Sequence, residues 1–92
     1  MLALATCYCN DVYREAARLN IHVDSVEVEA SAEFPGVGLS ATNITYRAKV
    51  SSTASVTAIA ELLSQTDAVA EVHNTVRAGA RIELQPWQKL AE

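Results

Sequence analysis

The sequence predicts an α+β fold in which a central amphipathic helix packs on a small antiparallel sheet. Three observations predict it. Near the start, Leu4, Val12, Ala16 and Leu19 recur at close to helical spacing, with Ala5 and Tyr8 beside them. Two later segments, residues 22–34 and 42–50, alternate apolar and polar side chains as half-buried strands do. A second helical pattern, Val56, Ile59, Ala60 and Leu63, follows them. The expected order is helix, strand, strand, helix, short helix, strand. Ninety-two residues make one domain, spanning 1–92.

Each element has its own local signals. The first helix is expected over residues 2–19, with Asp11, Arg14, Glu15 and Arg18 on its polar side and Asn20 as the left-handed residue that ends it. In the first strand Val26, Val28 and Ala30 oppose Ser25, Glu27 and Glu29. Pro35-Gly36-Val37-Gly38 breaks it. The second strand sets Ile44, Tyr46, Ala48 and Val50 on one face against Asn43, Thr45, Arg47 and Lys49 on the other. Strands this close in sequence pair antiparallel through the glycine-containing loop. Ser51-Ser52-Thr53 supplies a cap for the second helix, which is expected to end near Thr66 or Asp67. Val69, Val72 and Val76 repeat at three and four, as in a short helix closed by Gly79. Residues 80–84 read as a last short strand and residues 85–92 as a flexible tail.

Composition bounds the function. The net charge is −4 and no Lys/Arg cluster is present, so neither a nucleic-acid surface nor an acidic membrane surface is expected. No segment has the length or flanks of a signal peptide or membrane span, and the cytoplasm is the default location. Half the residues are apolar, yet many are Ala and only five are aromatic. Such a core is thin for one chain, so a homodimer or higher oligomer is expected.

The only credible nucleophile is a cysteine. Cys7 and Cys9 lie near the N-terminal end of the first helix, where free N–H groups and the helix dipole favour a thiolate. Taken alone, Cys7 fits either a reactive thiol or a packed core residue; Cys9 fits packing better. Residues two apart on a helix point about 200° apart, so no disulfide between them is expected while the helix is intact. His22 and His73 do not join the cysteines in a recognisable zinc pattern, and neither a metal nor a cofactor is expected. His73-Asn74-Thr75 with Arg77 forms a polar group within an apolar stretch. It reads either as a site lining or as a capped turn before Gly79. Asp11, Glu15, Glu61 and Glu71 offer carboxylates, none in a spacing that signals paired acid/base work.

Leu4-Ala5-Thr6-Cys7, followed by a helix running to Asn20, resembles the OsmC/Ohr family of hydroperoxide reductases and related stress proteins. The segment from Val72 to Gly79, leading into a strand, is similar to the family's second motif. The likeness covers nearly all of the chain and corresponds to the C-terminal part of the family's fold, an intertwined α+β dimer. It implies Cys7 as the peroxidatic cysteine and reduction of organic hydroperoxides; among this chain's own residues, Arg77, through the polar second motif, His73 and Asp11 are the candidate supporting residues. The sequence departs from the family at Ala70, near the place of the resolving cysteine, and at Glu71, where a proline is usual. The family's N-terminal strands and their activating arginine also have no counterpart. An external thiol would then be the reductant. The alternative is a non-catalytic OsmC-like dimerisation domain, or a fragment lacking the activating arginine and the resolving cysteine.

Overall fold

A computed structural model describes residues 1–90. Three helices and a two-stranded antiparallel sheet make up the regular structure, in the order α1 (Leu2–Arg18), β1 (Ser25–Glu33), β2 (Thr42–Ser51), α2 (Val56–Val69) and α3 (Glu71–Ala78). The α+β class is thus the observed one.

Helix α1 buries Leu4, Tyr8, Val12 and Ala16 along one stripe, as their spacing dictates. Asp11 and Glu15 are buried as well, which corrects their expected place on the polar side. The reason is pairing: Arg14 reaches Asp11 at 3.3 Å, and Arg18 covers Glu15. Buried carboxylates persist only when a cation or donor meets them. The helix ends at Leu19, and Asn20 takes φ 57° as expected.

Strands β1 and β2 pair Val26 with Val50, Val28 with Ala48 and Ala30 with Tyr46. These side chains form the half-buried face, and Val26, Val28, Tyr46 and Ala48 pack against the core. The first strand is shorter than expected: residues 22–24 precede it and Phe34, 66% exposed, lies beyond it. His22 sits outside the sheet, 2.8 Å from Asp24.

The cap of α2 is Ser55, not the Ser51-Ser52-Thr53 run. Its hydroxyl accepts from the Ala58 N–H at 3.1 Å. Ser51 is spent on β2, and the Ser52 hydroxyl donates to the His22 carbonyl and accepts from the Ala54 N–H. The helix also runs past Asp67 to Val69, with the Thr66 hydroxyl bonded back to the Leu62 carbonyl at 2.7 Å. Ala70, extended at φ −72° and ψ 105°, is both the last cap of α2 and the first cap of α3. Gly79 closes α3 at φ 66°, a conformation that costs glycine least.

Residues 80–84 do not form the expected strand. A strand exists by pairing its backbone, and among the described residues none runs beside this segment. Ile82 and Leu84 are 96% and 97% exposed. The segment expected as a tail is irregular as far as residue 90; its last two residues lie outside the described ones.

The core is small: Tyr8, Val12, Ala16, Leu62 and Ala70, flanked by half-buried residues of the sheet and of α2. Helix α1 is its axis, in contact with β1, α2 and α3.

Candidate active site

Cys7 and Cys9 are both free and half-buried. Cys9 faces the sheet, with its sulfur 3.8 Å from the Val26 carbonyl oxygen. Cys7 lies on another face, three residues after Leu4 and four before Asp11, as helical spacing requires. It is the sixth residue of α1, beyond the first turn that holds the free N–H groups. That corrects the expected helix-start placement, since the dipole's influence falls off within the first turn.

A dense constellation of side chains stands next to Cys7 in sequence. Tyr8 projects from α1 and donates its hydroxyl to the Leu63 carbonyl of α2 at 2.8 Å. Its ring meets Tyr46 of β2 edge-on at 4.6 Å between centroids. His73 of α3 packs on both, at 5.2 Å from Tyr8 and 4.4 Å from Tyr46. Such aromatic contacts each stabilise by about 0.5–1.5 kcal/mol beyond burial.

A charged rim closes this cluster. The Tyr46 hydroxyl donates to the Asp67 carboxylate at the end of α2. Arg77 of α3 reaches the same carboxylate oxygen at 2.7 Å and also binds Asn74 at 3.1 Å. The Arg77 guanidinium holds the Asp67 carboxyl below its ordinary range, and Asp67 in return raises Arg77. Burial raises Tyr8 and pushes Tyr46 far above the usual tyrosine value, helped there by the hydrogen bond to Asp67. Both phenols are therefore neutral donors.

His73 is 5% exposed, and neither of its ring nitrogens has a hydrogen-bond partner among the described residues. Burial lowers its pKa, and the neighbouring Arg77 charge adds to this. An unpaired buried polar group of this kind costs ~1–3 kcal/mol. Beside it lies a cavity of about 260 Å³ lined by Leu4, Ile44, Tyr46, His73, Val76 and Arg77. Three walls are apolar, and the polar ones are the three members of the cluster.

Of the residues singled out in the sequence, the structure brings His73 and Arg77 together at this cavity. Asp11 lies on α1, paired with Arg14. Arg14 in turn reaches Glu71 at 3.2 Å, tying α1 to α3. The remaining polar residues of the second motif brace the helix ends: Asn74 donates to the Ala68 carbonyl at 3.0 Å and Thr75 to the Glu71 carbonyl at 2.7 Å. Within that motif His73 and Arg77 line the cavity, while Asn74 and Thr75 bond to the backbone. Tyr46 and Asp67 were not legible as site residues, because their partners are distant in sequence. Among the described residues no cluster of metal-binding side chains occurs, and no helix is long and apolar enough to cross a membrane.

A cysteine-bearing helix crossing a small antiparallel sheet, with a second polar motif on a short helix folded back against it, defines a class of α+β domain. Residues 1–85 match the OsmC-like protein family, and the chain belongs to it. That membership gives a peroxiredoxin-like, stress-protein context. No curated protein sequence and no solved structure matches the chain.

Proposed function

We propose that the chain reduces organic hydroperoxides, with Cys7 as the peroxidatic thiol. The observation that carries this reading is the position of the cavity. Leu4, one helical turn before Cys7, lines it together with His73 and Arg77. A mostly apolar chamber thus opens within a helical turn of Cys7.

In the proposed reaction the Cys7 thiolate attacks the distal peroxide oxygen. An S–O bond forms as the O–O bond breaks; sulfur is oxidised to sulfenic acid and the peroxide is reduced to an alkoxide, which takes up a proton and leaves as the alcohol. With Ala70 near the family's resolving position, an external thiol condenses with the sulfenic acid, releasing water and forming a mixed disulfide. A second thiol then restores Cys7 and carries away the disulfide. Arg77 and His73 support the cavity wall, and Asp11 fixes the next turn of α1. The reading includes a cytoplasmic homodimer, supported by the small core and by apolar side chains such as Ile82 and Leu84 that this chain leaves uncovered.

The test is to treat the reduced protein with cumene hydroperoxide and trap sulfenic acid with dimedone. A dimedone adduct on Cys7, absent in Cys7→Ser and retained in Cys9→Ser, is the expected result. No adduct under excess hydroperoxide overturns it. Light scattering tests the dimer: a clean monomer of 9.9 kDa contradicts it.

One observation favours a second reading, a non-catalytic OsmC-like dimerisation domain. The Arg77 guanidinium is already engaged by Asp67 at 2.7 Å, which leaves it less able to activate a thiolate. A dimer that yields no Cys7 adduct is the outcome this reading expects.

A further inference from the structure

Helix α3 buries a single side chain, and that side chain can take up a proton. Of its eight residues His73 alone is buried, and Val72 is half-buried. Eight residues are too few to hold a helix in isolation, so α3 depends on what it packs against. Its anchor is the His73 ring, set against Tyr8 of α1 and Tyr46 of β2. Neither nitrogen of that ring has a hydrogen-bond partner among the described residues. The other ties lie at the surface. Arg14 holds Glu71 at 3.2 Å and Arg77 holds Asp67 at 2.7 Å, and both pairs are more than a third exposed. Pairs of that kind contribute little on their own. Helix α1, by contrast, is anchored by Leu4, Val12 and Ala16 as well as Tyr8.

We propose that α3 is an acid-released clasp: protonation of His73 frees this helix as a unit from α1, α2 and β2 while the rest of the fold stays closed. An imidazolium needs an acceptor or water at each nitrogen, and its surroundings here supply neither. The groups that face it are already committed. On α1, Tyr8 gives its hydroxyl to the Leu63 carbonyl and Asp11 is paired with Arg14. On β2, Tyr46 donates to Asp67, and on α2 that same carboxylate is taken by Arg77. On α3 itself, Arg77 adds a like charge and Glu71 is held by Arg14. Burial, with the Arg77 charge, already keeps the His73 pKa below its ordinary value. Turning His73 out to water relieves these costs, and it takes with it the only buried side chain of α3. One extended residue, Ala70, links α3 to α2, so α3 leaves without unwinding its neighbour. The proton comes from solvent and returns there as pH rises, so release is reversible. In acid the chamber lined by Leu4, Ile44, Tyr46, His73, Val76 and Arg77 loses the three walls that α3 supplies. No thiol takes part, so the clasp stands apart from the peroxidase reading.

Amide hydrogen exchange of the full chain, read residue by residue by nuclear magnetic resonance and corrected for the intrinsic effect of pH, tests the proposal. The released ring titrates near the free histidine value of about 6.5, and the packed ring below it. The closed state therefore holds fully above that pH, and opening grows as pH falls through it. Protection of the amides of residues 74–78 is expected to drop roughly three- to tenfold between pH 7.5 and pH 5.5. That exchange should not respond to low urea, the mark of a local opening that exposes little surface. The Val12 amide, at the centre of α1, should exchange more slowly and respond to urea as global unfolding does. His73→Phe keeps a ring without a titrating nitrogen and is expected to flatten the pH response of α3 to under about twofold. His73→Gln, which does not titrate either, carries the same expectation where the Phe variant fails to fold. Protection of α3 that is unchanged from pH 7.5 to pH 5.5 overturns the proposal. So does a urea response of α3 equal to that of Val12, or a drop of wild-type size in the folded variants.

Discussion

The cysteines of α1 and the aromatic–polar cluster that begins at Tyr8 are neighbours in sequence and opposites in environment. Cys7 and Cys9 are half-buried, and the contact recorded for Cys9 is a single weak one to the Val26 carbonyl. Tyr8, one residue on, is 1% exposed and touches three other elements. The difference teaches where the molecule is stabilised and where it is free to react. Tight packing holds α1, β2, α2 and α3 together through the tyrosines. The thiols beside them carry little of that packing and can change chemically at small structural cost.

The largest effect that tests this contrast is Tyr8→Ala. It removes a fully buried ring, its hydrogen bond to Leu63 and two aromatic contacts. A loss of about 3–5 kcal/mol is expected in urea unfolding, the range for deleting a buried aromatic. A loss no larger than that of Cys9→Ala, expected at about 1 kcal/mol or less for a half-buried small residue, breaks the comparison.

A pH series comes next. The folded-state pKa of His73 is lowered, chiefly by burial. The unfolded chain therefore binds the proton more readily once pH falls below the free histidine value of about 6.5. Stability from this residue is fully present above that pH and declines below it, down to the folded value. Wild type should lose stability between neutral pH and the mildly acidic range, and His73→Phe should flatten that slope.

Asp67→Asn is a smaller perturbation. Its pair with Arg77 is more than a third exposed on both sides, so the ion pair itself contributes about 0–1 kcal/mol. Weakening the acceptor of the Tyr46 hydroxyl adds to the loss. A cost near 1 kcal/mol in thermal or urea unfolding is expected. The smallest effect belongs to the uncovered segment after Gly79. Ile82→Ser, at 96% exposure, should change monomer stability by no more than about 0.5 kcal/mol. A large change measured by concentration-dependent unfolding reveals instead that a second copy covers it.

Local periodicity made the helices and both strands legible. Leu4, Tyr8, Val12 and Ala16 announce α1, and the alternation Val26-Val28-Ala30 announces the face of β1. Asn20 and Gly79 mark their helix ends as written. What periodicity could not supply is pairing. Residues 80–84 have an alternating look, yet a strand needs a neighbour, and sequence names none. Ser51-Ser52-Thr53 and Ser55 are equally good caps by residue type; only the length of β2 decides between them. The candidate site was half legible for the same reason. His73 and Arg77 stand out as polar residues in an apolar run, and Cys7 as a nucleophile. Tyr46 and Asp67 look like an ordinary strand tyrosine and an ordinary helix-end acid until the fold brings them to His73 and Arg77.

Ala70 joins α2 to α3 with a single extended residue that is wholly buried. Two torsion angles therefore aim an eight-residue lever. His73, Asn74 and Arg77 all ride on that lever, while Asp67 and the Ala68 carbonyl sit on its mount. A rotation of a few degrees at this methyl-bearing joint moves the His73, Val76 and Arg77 walls of the cavity at once, whereas Leu4, Ile44 and Tyr46 stay put. The shape of the chamber and the alignment of its charges are thus one variable, set at a residue with no polar side chain of its own.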